Sequence, residues 1–594
     1  MSKWNDTRAL FIGTSICIGL GSLYFYACGG GDDSGATAGN DAGGNDDGSA
    51  IGDGGAGGDG SGGGDGSTAA CLGGNCADNL TEHGDNARTG LYSSETKLNP
   101  TNVKQSTFGL LFEMQVDGKV DAQPLYVQNV AISGKGTHNA IYVETEHGTV
   151  YAFDAETKPD AGPSPLWSTS TIGSGETPSD AVFGCGQVTP EIGITSTPVI
   201  DLATNTMFLI AMSKNSGGAY FQRLHAIDIT SGAEKAGSPK DVTATFPGTS
   251  SNEGNGTTLT FAPKQHKERS ALLLDHGTVY TSWSSHCDHG PYSGWVIAYD
   301  ESLNQKLIYD DVPNDNGGEA AFWSSGAGPA ADTAGNIYND TGNGGFDSTF
   351  NAQGFPTGND YGNSFIKLTP TGSALDVADF FTEGNEVAES SADIDMSSSG
   401  VMLLPDSVGS AAHPHLLVGS GKDGHIYLMD TGNMGKFNPD GGNGQVLQDI
   451  ANATGTSFDS GHGSFGAPAY FNGAIYYCGV AQPLKKWNIA NAQIATPQAS
   501  ETSTNFGYPG ATPTISWNGS DASTAIVWAH ENGNPTLHAY SAADVSTEYW
   551  SSDQAAGSRD RPSGAANKFM IPLVANGRVY MGTQSSVAVY GLLP

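Results

Sequence analysis

The stretch AIYVETEHGTVYAFD, residues 140 to 154, decides the fold because its pattern recurs through most of the chain. Two runs rich in β-branched and aromatic residues are separated by a short turn, as in paired strands. The second run ends at an apolar or aromatic anchor residue before another turn. The eight anchors are Phe153, Ile227, Tyr299, Leu368, Met429, Trp487, Tyr540 and Tyr590. Such regular recurrence is typical of one repeat architecture, not of several unrelated domains.

The order of runs within each repeat predicts an all-β, eight-bladed β-propeller. A small-residue entry, such as STPVID at 196–201 or AGPAAD at 327–332, precedes each pair of runs. Strand, turn, strand, turn, strand at a steady spacing is the pattern of a propeller blade, and helical periodicity is nearly absent. The anchors lie about 62 residues apart, more than the roughly 40 to 50 of compact blades, so long loops are expected.

The two ends of the repeat region predict how the ring closes. The last anchor lies just before Pro594, so the final blade is one strand short. The run FGLLFEMQV, residues 108–116, precedes the first full repeat and is predicted to supply the missing outer strand. Closure of this kind removes exposed strand edges. A seven-bladed ring and a two-sheet sandwich are the alternatives, and the regular spacing disfavours the sandwich.

The net charge of the chain limits the classes of macromolecule that it can bind. The 594 residues contain 25 Lys and Arg against 62 Asp and Glu, a formal net charge of -37. Nucleic-acid binding needs a basic surface, so the composition argues against a nucleic-acid partner. A strongly acidic, solvated surface fits a protein outside the cytoplasm.

The first 28 residues resemble a bacterial lipoprotein signal peptide. Lys3 and Arg8 precede the apolar run ALFIGTSICIGLGSLYFYAC, which ends at Cys28. Phe25 stands where the lipoprotein motif prefers leucine, so a plain signal anchor is the alternative. The resemblance implies export and lipidation of Cys28 in an outer-membrane lipoprotein, periplasmic or at the cell surface. We assign residues 29–77 to a flexible Gly/Asp-rich linker and 78–594 to the propeller.

The cysteines predict two disulfides, since an exported chain permits them. Cys71 and Cys76 are close enough to pair locally, and Cys185 and Cys287 are predicted to pair within the folded part. Cys478 is left over. The sequence contains no CxxCH, the signature of c-type haem attachment.

The repeats resemble those of the pyrroloquinoline quinone (PQQ) propellers. VYAFDAETKPDAGPSPLW, residues 150–167, ends in a Trp after a turn, as those repeats do. NARTGLYSSETKLNPTNV, residues 86–103, is similar to the segment before blade one of PQQ-dependent alcohol dehydrogenases. The chain also looks like a bacterial group described only as PQQ-like. The resemblance implies eight blades, N-terminal closure, and PQQ with Ca²⁺ as cofactors.

Four motifs in family order imply the site residues. FWSSGAGPAAD resembles the segment whose Trp forms the floor under the quinone, here Trp323. YNDTGNGGFD resembles the turn whose Asn binds the calcium, here Asn343. SADIDMSSSG stands in the place of the catalytic Asp, either Asp395 or Asp393, and Asp395 is also an expected metal ligand. GSGKDGHIYLMD resembles the strand whose Lys reaches the quinone carbonyls, here Lys422.

These residue types suit quinone chemistry, although each also has a structural explanation. An indole supports a planar ring system, Ca²⁺ prefers oxygen ligands, and a carboxylate can accept a hydroxyl proton. Equally, Asn343 and Asp347 suit a Gly-rich turn, Trp323 a blade core and Lys422 a solvated turn. Residues 284–295, SSHCDHGPYSGW, leave two alternatives: a metal site with histidine ligands, or a loop that is braced by a disulfide.

Two functions follow from the sequence. One is a quinoprotein dehydrogenase that oxidises an alcohol or sugar and passes electrons to an external acceptor. The other is a non-catalytic propeller that binds an envelope protein or glycan.

Two features of the dehydrogenase family are missing from this sequence. The first is a pair of adjacent cysteines, which form the lid over the quinone. The second is an acid in NSGGAYFQRLHAID, where the dehydrogenases supply a Glu to calcium. Glu191 is nearby in sequence but not at that position.

Overall fold

A computed structural model describes residues 77–158, 162–250, 256–315, 317–458 and 461–594. In these ranges the chain forms eight antiparallel sheets, each with a core of four strands, arranged as the blades of a propeller. Cys28, Cys71 and Cys76 lie outside these residues, so lipidation and the Cys71–Cys76 pairing stay predictions. No helix among the described residues is long and apolar enough to cross a membrane.

The blades follow one another along the chain, and their strands are given in sheet order. Blade 1 contains Leu125–Ile132, Gly136–Glu144, Thr149–Asp154 and Trp167–Ser170; blade 2 contains Val199–Asp201, Thr206–Asn215, Tyr220–Asp228 and Lys240–Asp241. Blade 3 contains Leu273–Asp275, Thr278–Ser284, Trp295–Asp300 and Gln305–Asp310; blade 4 contains Ala330–Ala331, Ile337–Asp340, Ser364–Thr371 and Ala374–Thr382. Blade 5 contains Met402–Leu404, Leu416–Ser420, Ile426–Asp430 and Gln448–Ile450; blade 6 contains Ala469–Phe471, Ala474–Cys478, Gln482–Ala490 and Ser500–Phe506. Blade 7 contains Thr514–Ser516, Ile526–Glu531, Thr536–Ser541 and Glu548–Ser551; blade 8 contains Leu573–Ala575, Arg578–Gly582, Ser586–Leu592 and Phe108–Gln115.

Short strands, one helix and several turns lie outside the four-stranded cores of the blades. The further strands are Leu91–Tyr92, Glu176–Pro178, Thr245–Pro247, Thr258–Thr260, Lys267–Glu268, Lys436–Phe437 and Gln493–Ile494. One α-helix, Glu386–Ser391, occurs in the described part. The 3₁₀ turns there are Val182–Gly184, Ser324–Gly326, Met396–Ser398, Asp406–Val408, Ala522–Thr524 and Ala556–Ser558.

The ring closes as the sequence predicts. Phe108–Gln115 pairs antiparallel with Ser586–Leu592 and so completes blade 8 with a strand from the start of the folded region. Phe108 packs there against two tryptophans of blade 7, with centroid distances of 5.6 Å to Trp528 and 4.9 Å to Trp550. Each such buried aromatic stabilises the closure by about 1.5–3 kcal/mol through apolar burial.

All eight anchors lie on the third strand of their blades and are at most 3% exposed. The hydrophobic clusters join neighbouring blades: one combines blades 1 and 2, for example, and another blades 7, 8 and 1. The repeat is therefore visible in the sequence because every blade must bury the same position against its neighbour.

A segment before the first blade fills the centre of the ring. Backbone groups of residues 79–90, the plug segment, bond to the first strands of blades 1, 2, 4, 5, 6 and 7. The side chain of Asn86 reaches blade 3 through the carbonyl of Leu274 at 2.9 Å. Arg88 is 1% exposed and donates to the carbonyls of Leu272 at 3.0 Å and Pro329 at 2.9 Å. The plug segment, which the sequence did not predict, leaves the candidate site on one face of the ring.

Candidate functional site

Loops of blades 4 and 5 bring the predicted site residues to one face. Trp323 and Asp395 precede the first strands of blades 4 and 5. Asn343 and Lys422 lie in the connections between the second and third strands of the same blades. In an antiparallel blade these two kinds of connection lie at the same end of the sheet, so the four residues share one face.

The centre of the site is an ion pair. The Lys422 ammonium lies 2.5 Å from Oδ2 of Asp395 and 2.9 Å from Oδ1 of Asp393. It also donates to the backbone carbonyl of Asp393 at 3.0 Å. The other oxygen of Asp395 accepts a hydrogen bond from the backbone N–H of Asn343 at 2.8 Å. Both candidate carboxylates thus contact one lysine, and Asp395 is the more buried, with its side chain 7% exposed against 42% for Asp393.

Gly342 allows the loops to approach so closely. A Cβ atom there would lie 2.5 Å from Oδ1 of Asp395 and 2.8 Å from Cδ1 of Trp323. Any side chain at this position would therefore push the carboxylate and the indole apart. The Trp323 indole N–H donates to the carbonyl of Ala320 at 3.0 Å, and the backbone N–H of Ala320 donates to the carbonyl of Asn343 at 2.7 Å.

The Asn343 side chain has an unsatisfied acceptor. Asn343 is 6% exposed and its Oδ1 has no hydrogen-bond partner, while Nδ2 reaches the carbonyl of Ser390 at 3.5 Å. Asp347, on the same Gly-rich loop, serves the turn: its carboxylate accepts from the N–H groups of Thr349 at 2.8 Å and Gly358 at 2.6 Å. The structural explanation thus holds for Asp347, whereas Asn343 lies at the ion pair.

Burial and charge set the protonation of the two carboxylates. Burial raises the pKa of Asp395 and the Lys422 ammonium lowers it, with a net upward shift. The pKa of Asp393 rises to about 7, mainly through burial and against the attraction of Lys422. Burial lowers the pKa of Lys422, but the two carboxylates outweigh it and the net shift is upward, so the lysine stays charged. Asp395 is therefore a buried carboxylate with a raised proton affinity, held against a charged lysine.

The predicted disulfide borders this site. Cys185 and Cys287 are bonded, which confirms the pairing. The residue after Cys287, Asp288, accepts a hydrogen bond from the Tyr292 hydroxyl at 3.0 Å. The Tyr292 ring stands perpendicular to the Trp323 indole, with centroids 6.0 Å apart. Sequence reasoning treated 284–295 as a loop on its own and missed both contacts, which only the ring geometry creates.

No three His, Cys, Asp or Glu side chains of the described residues are arranged to hold a metal ion. Of the two alternatives for the 284–295 loop, the structure shows the loop braced by the Cys185–Cys287 disulfide. The expected calcium ligands Asn343 and Asp395 do lie close together. However, the described residues here form no cluster of three acidic, histidine or cysteine side chains, and the Lys422 ammonium lies against Asp395, so they supply too few oxygen ligands for the about six to eight that a calcium ion takes.

The residue types at the site suit a planar quinone, although the Trp323 indole is only 6% exposed and packs against Tyr292. Trp323 offers an aromatic surface and Lys422 a cation for electronegative oxygens. The unpartnered Oδ1 of Asn343 can accept a hydrogen bond from a bound hydroxyl group. The site therefore matches a quinone in the types of group it offers: an aromatic ring, a cation and a hydrogen-bond acceptor.

No protein-family model matches the chain, and no curated protein matches it. Several solved structures, however, are similar to it in fold. A quinohemoprotein alcohol dehydrogenase from Comamonas testosteroni is 16% identical with a TM-score of 0.55, covering 87% of this chain and 80% of that one. The enzyme ADHIIG from Pseudomonas putida HK5, another quinohemoprotein alcohol dehydrogenase, is 14% identical with a TM-score of 0.52, covering 87% and 80%. A europium-containing methanol dehydrogenase is 13% identical with a TM-score of 0.52, covering 87% and 98%.

At these identities the likeness establishes the architecture and not the activity. It agrees with the eight blades and the N-terminal closure described above. The chain has the eight-bladed propeller fold of the quinoprotein alcohol dehydrogenases, as the sequence resemblance implied.

Proposed function

We propose that the protein is a quinone-dependent dehydrogenase that oxidises a hydroxyl group of an alcohol or sugar. One observation carries the proposal: Oδ1 of Asn343 is buried without a partner, on the residue whose backbone N–H binds Asp395. An unpaired buried acceptor costs roughly 1–3 kcal/mol. A hydroxyl beside the reacting one would supply the missing donor, while the reacting hydroxyl would give its proton to the Asp395 carboxylate.

The chain's own residues have distinct tasks in this reaction. Asp395 accepts the hydroxyl proton, because burial favours its protonated form and outweighs the opposing charge of Lys422. Lys422 also presents positive charge to the oxygens of the cofactor, and Trp323 packs against its plane. A bound PQQ would supply the two-electron oxidation and pass the electrons to an external acceptor. No step is assigned to calcium.

The test is a titration of the purified protein with PQQ, followed by absorbance and calorimetry, once in EDTA and once in Ca²⁺. We expect saturable uptake in both. A charge-assisted contact contributes roughly 1.5–3 kcal/mol, so Lys422→Met should weaken uptake at least about tenfold. Asp395→Asn should retain uptake and lose turnover of alcohols, whereas the matched loop variant Asp347→Asn should change neither.

The second candidate function is a scaffold that binds an envelope protein or glycan. It is favoured by the closed state of the site, since Trp323 is only 6% exposed and already packs against Tyr292. Absence of PQQ uptake by well-folded wild-type protein, in EDTA and in Ca²⁺, would reject the dehydrogenase and leave the scaffold.

We also propose that the chain is exported and lipidated at Cys28, in line with the signal-like first 28 residues. Cys28→Ser should then shift the protein from a membrane-bound to a soluble or unprocessed form. Fractionation and the size of each form test this, and unchanged processing together with unchanged fractionation would reject the lipid anchor.

A further inference from the structure

Four aromatic rings run from the ion pair across the same face of the ring. The centroids of Phe458 and Phe465 are 5.1 Å apart, those of Phe465 and Tyr508 5.2 Å, and those of Tyr508 and Phe569 6.3 Å. We name these four residues the aromatic arc. It begins at the candidate site, since the Lys422 ammonium lies 5.7 Å from the centroid of Phe458.

The aromatic arc is partly open to solvent, mainly at Tyr508. Tyr508 is 36% exposed and is one of few large apolar side chains as exposed in the described part of the chain. Phe458 and Phe569 are half-buried, and Phe465 lies beneath them at 6% exposure. A row of packed rings that is partly exposed at the protein surface is a candidate binding surface.

A small cavity beside the arc carries polar groups. It is lined by Phe465 and Phe569 from the arc and by Thr512, His530 and Asn532 from blade 7 and the loop before it. His530 is 4% exposed and its Nε2 has no hydrogen-bond partner. Burial lowers the pKa of His530 to about 3, so the imidazole is neutral at pH 7. The described residues that line the cavity include no Asp, Glu, Lys or Arg.

This combination selects one class of ligand. Aromatic faces pack against the C–H faces of a sugar ring, while hydroxyl, amide and neutral imidazole groups pair with its hydroxyls. The described lining of the cavity offers no cation to an anion, and the cations near the arc, Lys422, Arg269 and Lys568, lie over its ring faces. A simple apolar alcohol would leave Nε2 of His530 unpaired, at the usual cost of a buried polar atom.

We infer that the substrate is a neutral saccharide, which stacks on the aromatic arc and places one hydroxyl in the cavity beside His530. A second hydroxyl then faces Asp395 at the other end of the arc, where oxidation takes place. The inference rests on the proposed dehydrogenase function for that last step, whereas the sugar contacts rest on the arc and the cavity alone.

The test uses the purified protein without quinone and in EDTA. A neutral glycan array identifies ligands, and calorimetry then gives Kd for the best one. We expect Tyr508→Ala and His530→Phe each to weaken binding at least about tenfold. Phe183→Ala is the matched control, because Phe183 is 42% exposed and lies outside the arc; its Kd should stay within about twofold of wild type.

Binding to no neutral glycan on the array, or equal Kd values for wild type and both arc variants, overturns the inference. Because His530 is buried, thermal melting must show that its variant is folded; the exposed Tyr508 supplies the test if it is not. Quinone uptake is measured separately. Uptake without glycan binding rejects the saccharide alone, whereas glycan binding without uptake rejects the dehydrogenase and supports the sugar site.

Discussion

The Lys422 ammonium lies 2.5 Å from Oδ2 of Asp395, and both side chains are at most 7% exposed. The two residues come from different loops of blade 5, and the backbone N–H of Lys422 also donates to the carbonyl of Asp395 at 2.8 Å. One contact therefore sets the charge of the proposed base and the position of both loops. Its effects on stability and on chemistry can be separated by choice of variant.

Replacing Lys422 with Met should destabilise the protein, because the change leaves the Asp395 carboxylate buried without its cation. Breaking a buried pair from one side costs about 3–5 kcal/mol. Replacing both partners, as Lys422→Met with Asp395→Leu, should recover most of that loss. Thermal and denaturant melting of the two single variants and the double variant give the coupling energy. A double variant as unstable as the sum of the singles would contradict the pairing.

Glu144 should make the free energy of unfolding depend on pH. This blade 1 residue is fully buried, neither carboxylate oxygen has a hydrogen-bond partner, and burial raises its pKa to about 8. The folded state therefore holds a proton that the unfolded state releases near the ordinary pKa of 4.5. Stability should fall as pH rises between these two values, by at most about 1.4 kcal/mol per pH unit.

Glu144→Gln is neutral at every pH and should remove that slope, so the variant should gain stability over wild type at pH 8 but not at pH 4.5. Melting temperatures at both pH values provide the measurement. The exposed Glu501→Gln serves as the control. Parallel curves for wild type and Glu144→Gln would show that Glu144 does not carry the dependence.

The fold was predictable because each blade repeats one local sequence pattern. Each anchor, such as Phe153, is buried at the same position of its blade against the neighbouring blade. The residue types at the site could be transferred from the family resemblance, and Asn343, Asp395 and Lys422 do meet. The contact between Tyr292 and Trp323 could not be foreseen, because it depends on how two blades face each other. A poor calcium site was indicated by the missing acid in NSGGAYFQRLHAID, whereas the contact of Lys422 with both Asp393 and Asp395 could not be foreseen.

The plug segment was also hidden from sequence reasoning, because most of its contacts are backbone hydrogen bonds without a residue pattern. Among its side chains Arg88 makes the most carbonyl contacts, since its guanidinium donates to the carbonyls of Glu82, Leu272 and Pro329. A lysine cannot match this planar fork. Arg88→Lys should therefore leave buried carbonyls unpaired, at roughly 1–3 kcal/mol each.

We expect Arg88→Lys to lower the melting temperature and to make residues 79–90 accessible to limited proteolysis, with cleavage mapped by mass spectrometry. The control is Arg561→Lys, an exposed arginine with one side-chain hydrogen bond to Asn534 at 3.0 Å. If Arg88→Lys melted like the control and resisted proteolysis, Arg88 would not hold the plug segment in place.

Reduction of the Cys185–Cys287 disulfide should affect both stability and the candidate site. The bond joins residues 102 positions apart, and a link over such a loop stabilises a protein by about 2–4 kcal/mol. Because Asp288 follows Cys287 and holds the hydroxyl of Tyr292, loss of the bond should also loosen the contact between Tyr292 and Trp323. We therefore expect the double variant Cys185→Ser, Cys287→Ser to melt earlier and to change its tryptophan emission.

The emission change can be assigned to the site by adding Trp323→Phe, which should remove most of the difference between the disulfide-bonded and serine forms. Cys478→Ser is the control, because Cys478 is a buried free thiol and should not alter the response to reduction. Mass spectrometry of non-reduced peptides should recover the linked pair. An emission change that persists in full without Trp323 would mean that the disulfide braces its loop but does not position the aromatic contact at the site.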